Sequence, residues 1–393
     1  MQPFFAQRFE KVEPSFIREI LKVAANPEII SFAGGLPNPH LFPVKAIEQA
    51  CQDVLREQGA AALQYATTEG FAPLRQFIAD RYLSRHGMTV NPDNILITSG
   101  SQQALDLLGK VLVNEGQDLI IEEPGYLGAI QAFSVYQPNF KPITLAEEGL
   151  DLAALDALLE QGSSARLLYG VPNFQNPSGV SYSRANREAL AERLVRHDLL
   201  MVEDDPYGEL RFEGEHLPPI AKLAPNNTVL LGSFSKTVVP AFRLGWMLVP
   251  DWLRKKVTIA KQATDLHSNA FSQQVLHRFL TDHSLDAHLE KIKEVYGRQR
   301  AAMEAALSRH CPPGVSYTRP EGGMFLWLTL PPSVSAMALF DEAIKEKVAF
   351  VPGAPFYVRP EIQNTLRLSF SCVDEATTEE GIKRLCRALS RML

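Results

Sequence analysis

Between residues 94 and 250 the chain alternates short apolar runs with stretches of helical periodicity, and this alternation constrains the fold more than any other feature of its 393 residues. The runs NILITSG (94–100), DLIIEE (118–123), RLLYGVP (166–172), LLMVEDD (199–205) and TVLLGS (228–233) have the length of strands, and RLGWMLVP (243–250) follows closely. Most are separated by helix-like stretches such as SQQALDLLGKVLV and SRANREALAERLVRH. A strand that is apolar at nearly every position has no face left for water, so helices must cover both sides. The expectation is an α/β unit with a mostly parallel sheet sandwiched by helices. Upstream, VKAIEQACQDVLREQG (44–59) places Ile47, Ala50, Val54 and Leu55 on one face and closes with Gly59, predicting an amphipathic helix with a glycine stop.

From about residue 285 the texture changes. LEKIKEVYGRQRAAMEAALSRH (289–310) predicts a long helix and GGMFLWLTL (322–330) a strand, followed by the Pro/Gly loop FVPGAPFY and strand-like NTLRLSFS. This divides the chain into a large α/β domain over 44–285 and a small α+β domain over 286–393, with residues 1–43 fitting neither pattern.

Charge and composition narrow the partners. Lys and Arg number 39 against 45 Asp and Glu, a net charge of −6, and no run of five or six basic residues occurs, so nucleic acid is not an expected partner. The N-terminus carries Arg8, Glu10, Lys11 and Glu13 where a signal peptide would be continuously apolar. No run approaches the roughly 20 apolar residues of a membrane span. Cys51, Cys311, Cys372 and Cys386 are scattered without CxxC or metal-ligand spacing, and the nine histidines form no HExxH-like cluster. The expectation is a cytoplasmic protein with reduced thiols, no metal and no membrane partner.

Ligands of open α/β sheets bind beyond the carboxyl ends of the strands. Past the first run lies Gly100-Ser101-Gln102-Gln103 and then a helix, a start that suits a phosphate and equally suits a plain N-cap at Ser101. Past the third lies Asn173-Phe174-Gln175-Asn176-Pro177-Ser178-Gly179, which is also an ordinary turn signal. The fourth ends in Glu203-Asp204-Asp205, with Tyr207 beyond; neighbours on a strand face opposite ways, so only one aspartate aims into a cleft. The fifth ends in Ser233-Phe234-Ser235-Lys236, with Arg243 following. Hydroxyls, backbone amides and an arginine suit a phosphate, a carboxylate suits a pyridinium nitrogen, and a lysine suits an aldehyde. Pyridoxal phosphate needs all three.

These residues resemble the fold-type I, class I/II pyridoxal-phosphate aminotransferases, and more narrowly the branch of 2-aminoadipate, kynurenine and broad-specificity enzymes. The similarity runs nearly end to end. It passes through SFIREILK (15–22), SFAGGLPNPHLFP (31–43), LQYATTEGFAPLR (63–75), GSQQALDL (100–107), NFQNPSG (173–179), VEDDPY (202–207), GSFSK (232–236), GGMFLW (322–327) and NTLRLS (364–369). The resemblance implies the aspartate aminotransferase-like fold and pyridoxal 5'-phosphate as cofactor. It implies transfer of an amino group from an α-amino acid of 2-aminoadipate, aromatic or branched-chain type to a 2-oxo acid such as 2-oxoglutarate.

It also implies roles. Lys236 would form the Schiff base and shuttle the proton, Asp204 would pair with the pyridinium nitrogen, and Asn176 and Tyr207 would contact the ring's phenolic oxygen. Ser101, Gln102, Ser233, Ser235 and Arg243 would surround the phosphate, and Tyr126 would stack on the ring. Arg367 would clamp the substrate α-carboxylate. Tyr65 would reach the phosphate of a neighbouring subunit, implying a homodimer with shared active sites. Residues 1–43 would pack with the small domain and cover the site. Within them Arg18 would meet a side-chain carboxylate, unless it is an exposed arginine of an amphipathic helix. Gly34 and Gly35 would let backbone approach the substrate, unless they form a plain turn.

The chain departs from relatives at Pro206 and at Pro240-Ala241-Phe242, which bears on pocket shape rather than chemistry. Other readings are a β-lyase or decarboxylase built on the same cofactor site, and a non-catalytic regulatory domain. The Ser233-Phe234-Ser235-Lys236 match to the SxxK of penicillin-binding enzymes lacks its SDN and KTG companions.

Overall fold

The computed structural model describes residues 4–9, 20, 22, 26–359 and 361–393. Strand β1 (Ile30–Ser31) stands apart from the main sheet. Among the described residues eight strands form that sheet: β2 (Ile95–Thr98), β3 (Asp118–Glu123), β4 (Asn139–Ala146), β5 (Gly149–Leu150), β6 (Leu167–Gly170), β7 (Leu200–Asp205), β8 (Thr228–Ser233) and β9 (Gly245–Leu248). Their spatial order is β2-β9-β8-β7-β6-β3-β4-β5. The run from β8 to β4 is parallel, whereas β9 is antiparallel to both its neighbours and β5 is antiparallel to β4.

Two apolar layers follow from the pleat. Ile121, Tyr169, Val202 and Leu231 join one cluster with Leu105 and Leu108 of helix α3 (Ser101–Leu112). Ile120, Leu168 and Met201 join another with Leu155 of α5 (Leu152–Glu160) and with Leu190 and Leu194 of α6 (Arg184–Arg196). The remaining helices of this part are α1 (Val44–Gln58), α2 (Ala72–His86), α4 (Leu127–Ser134), α7 (Ile220–Leu223), α8 (Asp251–Asp265) and α9 (Ala270–Asp282). Ends are set by local chemistry: Asp151, Ser183 and Asn269 each accept a backbone N–H at the start of their helix, contacts of about 1 kcal/mol apiece.

Two sequence expectations need correction. Leu55 is not on the buried face of α1; it is 44% exposed, and Asp53 is buried instead, holding Gln49 and Arg56. Strand β4 is absent from the sequence reading because NFKPITLA carries Pro142 and little apolar periodicity. Pro142 is tolerated because β5 pairs only with Leu145 and Ala146, leaving the outer edge of β4 open at the proline.

A second sheet is antiparallel throughout, in the order β10 (Ser316–Tyr317), β11 (Phe325–Thr329), β14 (Thr365–Ser369), β13 (Val351–Pro352). Around it lie α10 (Leu285–His310), α11 (Ala336–Lys345) and α12 (Glu375–Ser390). Helix α10 starts four residues earlier than its periodicity suggests, because the Ser284 side chain caps it. Strand β1 pairs in parallel with β12 (Val348–Ala349), and Ser369 N–H donates to Phe32 O, so residues 30–32 are tied to this smaller part of the chain. Among the described residues no helix is long and apolar enough to cross a membrane.

Candidate active site

Lys236 lies three residues past β8, in a turn pinned by Phe234, whose ring packs on Trp246 at 4.8 Å. Its Nζ donates to Gly35 O at 2.8 Å. Burial first, then the guanidinium groups of Arg367 and Arg243, push the ammonium down to about 8. A lysine so placed can supply a neutral amine near physiological pH.

Asp204 is the penultimate residue of β7, on the same sheet face as Tyr169 of the neighbouring β6. It is 1% exposed. Oδ2 accepts from Tyr169 Oη at 2.8 Å, and Oδ1 has no partner among the described residues. Burial, helped by the charge of Asp205, raises the carboxyl to about 7. Asp205 points the other way, accepting from Asn173 Nδ2 at 3.0 Å and Gly208 N at 2.9 Å. The two aspartates therefore form no catalytic pair.

Arg367 comes from β14 and is 2% exposed. One terminal nitrogen donates to Asn176 Oδ1 and the other to Ala33 O, both at 2.8 Å, while Nε has no partner among the described residues. Its guanidinium carbon lies 4.3 Å above the Phe325 ring and 5.4 Å from that of Phe356. Desolvation pulls it down to about 10, and among the described residues no carboxylate balances it. A buried cation without an anion is a binding site for one. Asn176 extends the chain of contacts by donating from Nδ2 to Tyr207 Oη at 3.4 Å, and Tyr207 stands edge-on to Phe325.

A cradle for an anion lies at the start of α3. Gly100 has φ +81°, and a Cβ there would come within 2.6 Å of an Arg243 guanidinium nitrogen, so the arginine lies directly over the helix start. Arg243 reaches Ser235 Oγ at 3.4 Å, and Ser235 N donates to Ser233 Oγ at 3.1 Å. Tyr126 is the residue before α4; burial and the charge of Asp204 raise its hydroxyl to about 12. A groove of about 910 Å³, lined by Glu147, Tyr317, Arg319 and Arg359, holds neither Lys236, Asp204 nor Arg367. Chemistry, not volume, singles out the Lys236 cleft.

Residues 29–385 match the family model for aminotransferase class I and II. The chain belongs to the class I and II aminotransferases. Similar relatives of this aminotransferase include 2-aminoadipate transaminase of Thermus thermophilus, 43% identical over 99% of this chain and 97% of that protein. Aromatic-amino-acid aminotransferase 1 of Thermococcus litoralis is 41% identical, over 99% and 94% respectively. Among solved structures, the kynurenine aminotransferase of Pyrococcus horikoshii superposes with a TM-score of 0.95 at 42% identity, covering 99% of this chain and 98% of that one.

Within the aminotransferase, Lys236, Gly35, Arg367, Asn176 and Tyr207 form one connected set, and Asp204 couples to Tyr207 and Tyr126 through charge. Ser101, Ser233, Ser235 and Arg243 gather at the helix start. Gln102, the second residue of α3, donates from its side chain to Gly128 O at 2.8 Å. Tyr65 is 80% exposed and meets His267 edge-on. Arg18 lies outside the described residues.

Sequence reading missed Tyr169, Phe325 and the Ala33 carbonyl. It also missed Glu122, which is buried and raised by desolvation to about 7 while accepting from Tyr182, Gln175 and the Val171 amide. The available signal was an acid inside the otherwise apolar strand DLIIEE.

Proposed function

We propose that this aminotransferase moves the amino group of an α-amino acid of 2-aminoadipate, aromatic or branched-chain type to a 2-oxo acid, 2-oxoglutarate first among them, with pyridoxal 5'-phosphate as cofactor. The observation that carries the reading is a single juxtaposition. The Lys236 amine, buried and donating to Gly35 O at 2.8 Å with its ammonium held down to about 8, lies in the field of the buried Arg367 guanidinium, which no anion of the described residues balances.

The residues present fit the cofactor. The orphaned Oδ1 of Asp204 suits the N–H of a pyridinium, whose positive charge would bring this carboxyl back down into its ionised form. The glycine start of α3, with Arg243 above it and Ser233 and Ser235 beside it, suits a phosphate. When bound, pyridoxal phosphate supplies an aldehyde that condenses with amines and a cationic ring that draws electrons from the substrate Cα. Asp204 would hold the ring-nitrogen proton through Oδ1, while Tyr169 occupies Oδ2. Asn176 and Tyr207 would supply an amide and a hydroxyl for the ring's phenolic oxygen, and Tyr126 would offer a stacking face.

Lys236 Nζ, once neutral, would be the base that takes the proton from the substrate Cα and the acid that delivers it to the cofactor's former aldehyde carbon, the shift that amino-group transfer requires. Arg367 fixes the α-carboxylate, which brings Cα within reach of that amine. Asn176 Oδ1, the Ala33 carbonyl and the Phe325 ring hold the guanidinium flat for that grip. Gly35 leaves room beside it, since a Cβ there would meet Phe325 at 3.1 Å.

We also propose a homodimer with shared sites, in which the exposed Tyr65 reaches the phosphate held by its partner. A side-chain carboxylate would be read by Arg18.

The test is a panel of amino donors with 2-oxoglutarate, with borohydride trapping read by peptide mass. Formation of glutamate plus a new 2-oxo acid, with the cofactor fixed on Lys236, supports the reading. Ammonia plus pyruvate, or label on another lysine, overturns it.

A further inference from the structure

The fold brings together two thiols that lie 75 residues apart in sequence: Cys311 Sγ is 3.0 Å from Cys386 Sγ. Cys311 caps the C-terminus of α10, its N–H donating to Leu307 O, and Cys386 sits in α12 among the buried Ile382, Leu385 and Leu389. These two helices pack along one another, so the thiol separation is set by helix packing rather than by a loop. It exceeds the roughly 2.05 Å of a disulfide bond by only about 1 Å, a gap that side-chain rotation closes. Cys386 is 2% exposed, whereas Cys311 is half-buried and offers a reagent its approach. The contact with the Cys386 sulfur also pulls Cys311 down, favouring the thiolate that attacks a disulfide.

We propose that Cys311 and Cys386 form a reversible disulfide that staples α10 to α12, with a small-molecule disulfide of the glutathione type as oxidant. The Cys311 thiolate attacks one sulfur of the oxidant. That S–S bond breaks, a mixed disulfide forms and one small thiolate leaves. Cys386, having given up its proton, then attacks Cys311 Sγ and displaces the second small thiolate. The protein loses two protons and two electrons, and the oxidant becomes two thiols.

The closed span contains β10, β11, α11, β13 and β14, and therefore Phe325 and Arg367. A long closed loop restricts the unfolded chain strongly, so the staple stabilises this part of the fold. Cys372, exposed and donating to Leu36 O at 3.0 Å, has no second thiol beside it and serves as the internal control.

The experiment treats the purified cofactor-loaded protein with dithiothreitol or with excess oxidised glutathione. It then blocks free thiols, digests, and reads cross-linked peptides by mass while recording Tm. Expected are a Cys311–Cys386 peptide pair, loss of two of the four titratable thiols, and a Tm at least about 5 °C above the reduced form. Cys372→Ser keeps both signals, and Cys311→Ser abolishes both. Stable glutathione adducts on Cys311 without a cross-link, pairing through Cys372, or equal Tm values in the unmutated protein overturn the proposal.

Discussion

Tyr169 and Asp204 meet across neighbouring strands: the phenol donates to one carboxylate oxygen at 2.8 Å and leaves the other without a partner among the described residues. In the cofactor-free protein that orphan costs stability, and burial raises the carboxyl to about 7. The value lies above the roughly 3.9 of an unfolded aspartate, so the folded chain holds this proton the more tightly. Asp204 therefore contributes stability that is full below about pH 4 and is lost as pH rises to about 7. Asp204→Asn should flatten this part of the pH dependence in urea unfolding of the apoprotein. Relative to the unmutated chain it should be more stable at pH 8 than at pH 5, by on the order of 1–3 kcal/mol. Turnover should fall by roughly 100-fold or more, since the group proposed to face the ring nitrogen no longer carries charge. Unaltered turnover would remove Asp204 from the mechanism.

The Lys236 amine should respond to its cationic neighbours. With the ammonium held down to about 8 by burial and then by Arg367 and Arg243, the rate of cofactor capture by apoprotein should rise with pH and level off above about 8. Arg367→Met removes the larger of the two charge contributions, so the inflection should move to higher pH. Stopped-flow absorbance of the imine checks both. Lys236→Ala should lose the imine band altogether and slow turnover by at least about 1,000-fold.

Much of this was readable in the chain because buried strands advertise themselves. β2, β6 and β8 are buried at every position, so their apolar runs stood out, and strand parity alone placed Asp204 and Asp205 on opposite faces. What could not be read depends on strand order or on tertiary approach. Tyr169 meets Asp204 only because β6 lies beside β7, and Phe325 lies under Arg367 only because β11 pairs with β14 in one register. β4 hid behind Pro142. The sequence showed four scattered cysteines, and only helix packing made a pair of two of them.

Arg367 binds through two terminal nitrogens at once, a geometry that lysine cannot reproduce. Arg367→Lys should leave Asn176 Oδ1 or Ala33 O unpaired and raise KM for α-amino acids by about 10- to 100-fold. Amines that lack an α-carboxylate never used this grip, so their slower reaction should be unchanged. Steady-state kinetics on a matched acid and amine pair makes the comparison. Equal losses on both would assign Arg367 to structure instead of substrate binding.

Glu122 acts at one remove. Its oxygens accept from Tyr182 Oη at 2.6 Å, Gln175 Nε2 at 3.0 Å and Val171 N at 3.1 Å. Gln175 in turn donates to Pro124 O at 2.7 Å and accepts from Ser178 N at 2.7 Å, which ties the Asn176 loop to the segment leading to Tyr126. Glu122→Ala leaves three buried donors facing a cavity and should destabilise the protein by about 2–4 kcal/mol. A residue that only supported the core would lower Tm and leave the cofactor's affinity in the remaining folded protein intact. Because the network grips both Asn176 and Tyr126, cofactor affinity should weaken by about 10-fold or more even where circular dichroism shows the variant fully folded. Glu122→Gln restores the side chain's shape and one acceptor oxygen, so it should recover part of that affinity, and no recovery would break the link from Glu122 to the site.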